Sequence, residues 1–344
     1  YTAEDECAGL ADPALLATEF PDLDLYHPWD LTIDEALAIS TECEAAALAM
    51  DPRISNSEGA TLNTEAGVGV YGNSNGFNHG YPISRHSISC SVIAKEKDEM
   101  QRDYWYSTAR HYQDLETAVA VGERAARRSL DRLGARKLQT QQAPVIFKAE
   151  LAAGLLRSFI SAIRGSALYR QATFLLDALD TQVFPDWVRI EENPHLPRGL
   201  ASAPFDSEGV ATRRRDLITD GILKSYVLGS YSARKLGLQT TGNAGGVRNL
   251  SIGMGDMDLQ QLMREMGTGL VVTELMGQGV NTITGDYSRG AAGYWVENGE
   301  VAFPVEEITV AANLRDMFRN LVAVGHDDDY SSSVRTGSWL IESM

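Results

Sequence analysis

The sequence predicts an α+β fold, with a mixed helical and antiparallel-strand part at residues 1–137 and a strand-rich domain with a few helices at residues 138–344. Strand patterns come in hairpins and do not alternate with helices, as they would in a parallel sheet. The stretch at residues 135–144 has few apolar residues and ends in proline, which places a domain boundary there. A length of 344 residues suits two domains.

Helical patterns flank a pair of strands in the first part of the chain. The run T-I-D-E, which begins at Thr32, is a capping box, and the pattern after it predicts a helix to about residue 50. Residues 55–90 alternate small or apolar with polar side chains, which predicts antiparallel strands joined by a turn-rich connector. Helical spacing returns at residues 114–133, and Gly134 is placed to end that helix.

Hairpins dominate the second part. The run V-I-F-K-A predicts a short strand, and a helix follows at residues 150–163. Asp-Gly at 220–221 and Asn-Gly at 298–299 each separate two strand patterns, and both dipeptides favour the type I′ turns of tight hairpins. Residues 258–266 form a short helical pattern that the next glycine stops.

Composition and charge argue against several classes of protein. The chain has 30 basic and 47 acidic residues, and its net charge of −17 repels nucleic acid and anionic membranes. Hydrophobic residues make up 44% of the chain, but no run of about 18 apolar residues predicts a membrane span. The three cysteines are widely spaced and form no disulfide framework, so the sequence predicts a reducing, cytoplasmic location.

Recognisable metal-binding motifs are missing from the sequence. Hydrolytic zinc sites place two histidines and a glutamate on one helix, but no His-Glu dipeptide occurs here. On a strand, His86 and Cys90 would lie about 13 Å apart, too far to share one ion. The H-D-D-D run at His326 is similar to a calcium-type carboxylate cluster, but it lacks EF-hand spacing, which favours a solvated acidic loop.

Four other motifs have a structural interpretation beside a functional one. The GxGxxG at 67–72 lacks a following helix, which favours a glycine-bearing strand over a dinucleotide site. The T-G-N-A-G-G run at 241–246 is either an anion cradle or a simple loop. Asp206 and Glu208 are either an acid–base pair or exposed turn residues. The three arginines at 213–215 would point to alternate faces of a strand and form ion pairs.

The segment at residues 267–290 is the most distinctive of the chain. A short β-branched run enters a polar loop that is dense in glycine, and a Tyr, an Arg and further glycines then lead into a strand. Glycine at this density lets another chain or a peptide approach the backbone closely. The alternative is a tight turn region that serves folding alone.

The chain resembles the PmbA/TldE family of the TldD/PmbA superfamily along its whole length. The resemblance is carried by that segment and by three further motifs, F-D-S-E-G-V, S-Y-S-A-R-K-L-G-L and W-V-E-N-G-E. The resemblance implies a cytosolic protein that pairs with TldD in a heterodimeric metallopeptidase. This peptidase degrades unfolded or modified peptides, including peptide-antibiotic precursors and an antitoxin. The family has also been described as a modulator of DNA gyrase. The resemblance further implies that roughly the first hundred residues of the family pattern are missing from this chain.

The resemblance also implies where zinc would lie. The TldD arm holds zinc with an H-E-x-x-x-H helix and a distal cysteine, and four of the matching positions here are Leu156, Arg157, Ser161 and Thr336. None of these is a usual zinc ligand. We therefore expect no catalytic residue and no metal in this chain, and zinc in its partner subunit.

The leading interpretation is that the chain is the non-zinc subunit of such a peptidase. Its expected partners are a TldD-like subunit and peptides, and it is expected to self-associate when the TldD-like subunit is missing. Residues expected to contact peptide or partner are Arg234, Thr273, Glu274, Asp286, Tyr287 and Arg289, although internal turn-fixing bonds explain them equally well. One alternative is an independent hydrolase that uses Asp206 and Glu208. Another is a binding module that modulates a DNA-acting enzyme such as gyrase through its acidic surface.

Overall fold

Fourteen strands in three sheets and seven α-helices make up the part of the chain that the computed structural model describes, residues 3–328 and 331–344. The strands are β1 (Ile54–Gly72), β2 (Asn78–Glu96), β3 (Glu99–Ala109), β4 (Val145–Phe147), β5 (Ile190–Glu192), β6 (Arg215–Thr219), β7 (Ile222–Leu223), β8 (Leu250–Ile252), β9 (Gly269–Met276), β10 (Asp286–Glu297), β11 (Glu300–Asn313), β12 (Leu321–Val324), β13 (Val334–Arg335) and β14 (Trp339–Ile341). The helices are α1 (Ile33–Ala49), α2 (Ala118–Leu130), α3 (Ala149–Ala162), α4 (Gly165–Tyr169), α5 (Ser230–Lys235), α6 (Leu259–Met266) and α7 (Leu314–Arg319).

The first part is an antiparallel sheet, β1-β2-β3, packed against α1 and α2. The predicted capping box is confirmed, since the Glu35 N–H donates to Thr32 Oγ1 and the Thr32 N–H donates to the Glu35 carboxylate. The predicted strands are also confirmed, and β1 and β2 run for 19 residues each. Cys43 of α1 and Cys90 of β2 are buried where the helices meet the sheet.

The helix predicted at residues 114–133 is shorter at both ends. A 3₁₀ turn occupies residues 112–114, and α2 begins only after Thr117, whose hydroxyl accepts a hydrogen bond from the Ala120 N–H. The helix ends at Asp131, so the prediction that Gly134 ends it is wrong. Gly134 has a φ of +80°, but it belongs to the loop beyond the helix.

The second part contains two sheets of mixed orientation. The six-stranded sheet has the order β11-β10-β9-β4-β14-β12, in which only β4 and β9 are parallel. The five-stranded sheet has the order β13-β8-β5-β6-β7, in which only β13 and β8 are parallel. These sheets and helices confirm the predicted α+β class. Among residues 3–328 and 331–344, no helix has both the length and the apolar character needed to cross a membrane.

The three predicted chain reversals of the second part are present. Asp220 and Gly221 have φ values of +50° and +73°, and Asn298 and Gly299 have +52° and +78°, so both pairs form the expected turns with positive φ. Gly267, with a φ of +70°, ends α6. Each of these features depends only on residues next to one another in the chain.

Helix α3 is fixed between the two parts by buried charges. Arg128 of α2 donates from Nη1 to Glu150 Oε1 at 2.7 Å and from Nε to Asp103 Oδ1 of β3 at 3.2 Å. Arg132, one turn later, joins Asp103 to Glu274 of β9. Burial alone would raise the pKa of Glu150, but Lys148 and Arg128 outweigh it and hold that pKa below its usual value.

Gly122 of α2 tests how closely the two N-terminal helices pack. A Cβ atom at Gly122 would lie 2.1 Å from the Cys43 carbonyl oxygen of α1, so we expect Gly122→Ala to lower the free energy of unfolding by about 1–3 kcal/mol or more. Gly154→Ala in α3 is the matched control, because nothing lies within 4 Å of its Cβ position, and it should stabilise by up to about 1 kcal/mol. Urea denaturation measures both, and equal effects would contradict this packing.

The Glu150 carboxylate tests the ionic link to α3. Because its folded pKa lies below the unfolded value, its contribution to stability is present above about pH 4.5 and is lost as the pH falls through the folded pKa. We expect Glu150→Gln to cost about 1–3 kcal/mol of unfolding free energy at pH 7 and progressively less below pH 4.5.

The matched control for this prediction is Glu191→Gln. Glu191 pairs with Arg214, whose side chain is 62% exposed, so the control should cost less than about 1 kcal/mol. Urea denaturation at neutral and acid pH measures both variants. A cost of Glu150→Gln that does not change with pH would contradict the role assigned to its charge.

Candidate functional site

Three of the four positions that match the zinc motif lie on α3. Leu156 points into the core and is fully buried, whereas Arg157 and Ser161 are exposed. The Ser161 hydroxyl donates to the Arg157 carbonyl oxygen at 2.9 Å, and Arg157 Nη2 lies 3.5 Å from the hydroxyl oxygen of Ser332. The exposed face of α3 therefore borders the chain that leads to β13.

The fourth position follows β13, which contacts α3. Thr336 is buried, donates to the Gly337 carbonyl oxygen and accepts a hydrogen bond from the Trp339 indole N–H at 2.7 Å. A leucine, an arginine and two neutral alcohols do not supply the thiolate, imidazole or carboxylate ligands that zinc takes in proteins, so these residues do not fit the ion. Within the described residues, no three or more His, Cys, Asp or Glu side chains come together closely enough to hold a metal ion.

A cleft of about 830 Å³ lies between the first part and the five-stranded sheet. One wall comes from the end of β3 and the chain after it, and the other from β8, the loop before it and residues 193–200. Ser332 and Arg335 also line the cleft, which brings it beside the exposed face of α3. The cleft is open to solvent.

Arginines line this cleft, and each of them has an internal partner. Arg110 donates to the carbonyl oxygens of Ser84, Gly199 and Leu200, and burial lowers its pKa. Arg198 joins Asp24 to Asp114, and Arg335 pairs with Asp328. Because Arg110 and Arg198 hold residues of both parts, these side chains fix the walls of the cleft.

Backbone strain occurs on the same wall. Asn249 has a φ of +39°, which is unusual for a residue other than glycine. Its side-chain amide donates to the Asn193 carbonyl oxygen and to the Ser202 hydroxyl, and its side-chain oxygen accepts from the Ala201 N–H. These three bonds hold the start of β8 against the loop at residues 193–202, which belongs to the same wall.

Family models match both parts of the chain. Residues 26–133 match the central domain of PmbA/TldA metallopeptidases, and residues 140–344 match their C-terminal domain. The chain belongs to the PmbA/TldD family of metallopeptidases. The metalloprotease PmbA of Escherichia coli O157:H7 is 56% identical over 344 residues, covering 100% of this chain and 76% of that protein. The PmbA homologue of Haemophilus influenzae is 49% identical, covering 100% and 76%.

Solved structures of PmbA/TldD-like proteins superpose closely on this fold. A Bacteroides thetaiotaomicron protein, described as a candidate modulator of DNA gyrase, has a TM-score of 0.94 at 32% identity and covers 100% of this chain and 78% of its own. TldE from Thermococcus kodakarensis has a TM-score of 0.84, covers 100% and 80%, and at 19% identity is similar in fold alone.

The predicted contact residues of this PmbA/TldD family member are spread over three places. Arg234 of α5 donates to the carbonyl oxygens of Cys7, Gly9 and Leu10 and so fastens the start of the chain. Thr273 is buried on β9 and bonds to the Ala292 carbonyl oxygen. Its neighbour Glu274 belongs to the ionic link with Arg132.

The other three predicted contact residues begin β10. Asp286 accepts from the Thr284 hydroxyl and from the Asn313 amide. Tyr287 is buried, and burial raises its pKa to about 12. Arg289 donates to the Leu275 carbonyl oxygen. The structure thus gives all six residues except Tyr287 an internal hydrogen-bond or ion-pair partner, and their contact with peptide or partner stays a prediction.

Asp206 and Glu208 do not lie on one face of an extended strand. The segment turns tightly, and the Asp206 carboxylate accepts from the backbone N–H groups of Glu208, Val210 and Ala244. Burial raises the pKa of Asp206, and these three bonds oppose that rise. Glu208 accepts from the Ser230 N–H. Both carboxylates therefore fix the turn, which leaves no free acid–base pair.

The remaining sequence motifs also have structural roles. Gly67 and Gly69 lie inside β1. His86 donates to the His27 carbonyl oxygen and accepts from Thr64, and Asp327 accepts from the Ser338 N–H and hydroxyl. The last Asp of the H-D-D-D run, residue 329, lies outside the described residues. Arg214 and Arg215 pair with Glu191 and Glu192, as predicted.

Sequence reasoning missed the cleft. Its lining comes from four separate stretches, and the only local signal is the loop N-P-H-L-P-R-G at residues 193–199, whose prolines and glycine predict an irregular connection. Nothing in that loop indicates that it meets the end of β3.

Proposed function

We propose that this chain is the non-zinc subunit of a cytoplasmic, two-subunit metallopeptidase that acts on unfolded or modified peptides. Its partner would be a TldD-like subunit that holds the zinc ion. Family membership supports the general activity. The finer assignment, metal-free and paired, rests on the residues of α3 and of the chain after β13.

The observation that carries the proposal is the residue type at Leu156, Arg157, Ser161 and Thr336. Hydrolysis by zinc requires ligands that leave one position open for an activated water. Leucine offers no ligand atom, and the arginine brings a positive charge to the place where a metal cation would sit. Since the side chains cannot hold zinc here, we assign the hydrolytic step to the partner.

The cleft beside α3 supports a role in holding peptide. An extended chain is bound through its backbone, and a narrow cleft excludes folded proteins. The walls of this cleft are fixed by Arg110 and Arg198, and its lining includes arginines and serines. We infer that it forms one side of a path along which a peptide reaches the partner's zinc.

Reconstitution tests this proposal. This chain, the TldD-like subunit of the same organism and their mixture are each given an unstructured peptide with a fluorophore and a quencher. We expect no cleavage by this chain alone, zinc-dependent cleavage by the mixture and a 1:1 complex by native mass spectrometry. A TldD-like subunit with its motif glutamate changed to glutamine is the control, and its mixture should be inactive.

Other outcomes of the same experiment favour other functions. Zinc-dependent cleavage by this chain alone would overturn the proposal. Cleavage by this chain without metal would support the independent hydrolase, and Asp206→Asn would then abolish it. Capture of a topoisomerase from cytosol, with no TldD-like protein, would favour the modulator of a DNA-acting enzyme.

A further inference from the structure

Two guanidinium groups flank adjacent glycines with no carboxylate paired to either of them. A Cβ atom added to Gly246 would lie 3.3 Å from Nη2 of Arg164, and one added to Gly245 would lie 3.7 Å from Nη2 of Arg248. Among residues 3–328 and 331–344, neither guanidinium has a hydrogen-bond or ion-pair partner, and Nε of Arg248 is buried without one. A buried donor of this kind is costly unless a ligand satisfies it.

A third donor lies beside the arginines. The hydroxyl oxygen of Ser207 would be 2.5 Å from a Cβ atom at Gly245, and within the described residues this hydroxyl has no partner either. Ser207 and Arg164 are exposed to solvent, so the buried donor of the group is Nε of Arg248. Gly245 and Gly246 have φ values of +91° and +110°, which L side chains rarely adopt. The two glycines therefore keep open the space among Arg164, Arg248 and Ser207.

The anion-cradle interpretation of residues 241–246 is not tested, but two donors of this loop already have partners within the protein. The Ala244 N–H binds the protein's own Asp206 carboxylate, and the Asn243 amide binds that of Glu192. These internal carboxylates occupy one side of the loop. The free donors, Arg164, Arg248 and Ser207, lie at its other end, around Gly245 and Gly246.

A pocket of about 220 Å³ adjoins these donors. Arg248 and Ser207 line it together with Tyr71, Tyr81 and Phe205. Its volume suits one apolar side chain. A ligand that fits would therefore carry an anionic group next to an apolar or aromatic one.

Strand β1, three of whose residues (Gly69, Val70 and Tyr71) line the pocket, is an edge strand of its sheet. β1 pairs with β2 alone in the order β1-β2-β3, so the outer backbone edge of residues 63–72 has no neighbouring strand in the described part of the chain. Gly67 and Gly69 leave this surface smooth, since nothing lies within 4 Å of their Cβ positions. Such an edge binds an extended peptide by strand addition.

We propose that Arg248, Arg164 and Ser207 bind a carboxylate of an extended peptide that pairs with the edge of β1 and places an apolar side chain in the pocket. This inference rests on the proposed peptide-binding function. The carboxylate is either the C-terminus or an acidic side chain, since both offer the same oxygens to a guanidinium. A phosphate is disfavoured because its second charge would meet a surface of net charge −17.

Peptide binding to the full chain tests this proposal. The probe is a fluorescein-labelled octapeptide of Ser, Gly and Thr that ends in Phe with a free carboxylate, read by fluorescence anisotropy. We expect the C-terminal amide of the same peptide to bind about tenfold more weakly, as a charge-assisted hydrogen bond is lost. An amide peptide with Glu before the Phe distinguishes the two sources, because recovery of affinity identifies the acidic side chain.

Variants assign the effect to the residues. The acid peptide should bind to the Arg248→Gln variant about tenfold more weakly than to the natural chain. The acid and amide peptides should then bind to this variant with equal affinity. Arg248→Lys should restore part of the preference. Arg213→Gln removes the same charge from an exposed position outside the pocket, and its affinity should change less than twofold.

Three results would overturn the proposal. The first is equal affinity of the acid and amide peptides for the natural chain, and the second is a loss of affinity in Arg248→Gln that is the same for both peptides. The third is displacement of the acid peptide by inorganic phosphate at concentrations where acetate has no effect. These measurements use this chain alone, without zinc or partner. A carboxylate preference without cleavage by the reconstituted pair would therefore reject the proposed function and retain this site, and the reverse result would reject the site alone.

Discussion

The arrangement of this protein depends on the guanidinium of Arg128, which bonds at once to Asp103 on β3 and to Glu150 in the first turn of α3. Removing one partner from a buried charge pair leaves an unpaired buried charge, which is destabilising, so the bonds hold α3 firmly to the sheet of the first part. The cleft follows from this docking, because its walls come from both parts. The position of α3 beside the cleft has the same cause.

Features that depend on neighbouring residues could be predicted from the sequence. The capping box at Thr32 needs only a partner three positions later, and the turns at Asp220 and Asn298 need only a residue pair that tolerates positive φ. The class of fold follows from such local patterns taken together. The wrong helix end at Gly134 has the same origin, because a glycine in a loop and a glycine that ends a helix look alike in sequence.

The site could not be predicted in the same way, because its contacts join distant residues. Glu274 has the chemistry of a ligand-binding carboxylate, and only the fold shows that Arg132, 142 positions away, is its partner. Arg234 likewise binds carbonyl groups more than 220 positions away. The unpaired donors around Gly245 and Gly246 are the opposite case. The sequence of residues 241–246 left an anion cradle and a simple loop as alternatives, and only the structure separates the donors that have internal partners from those that have none among the described residues.

The residues that replace zinc ligands show how a helix keeps its place without a metal. Leu156 turns one of these positions into core, in contact with the aromatic cluster that contains Phe159 and Trp339. Thr336 satisfies the indole of Trp339 and so closes the same core from the other side. Packing and hydrogen bonds thus supply the rigidity that a coordinated ion would give, and the exposed face of α3 remains next to the cleft. Under the proposed function, this face would border the path of a peptide while hydrolysis takes place on the partner subunit.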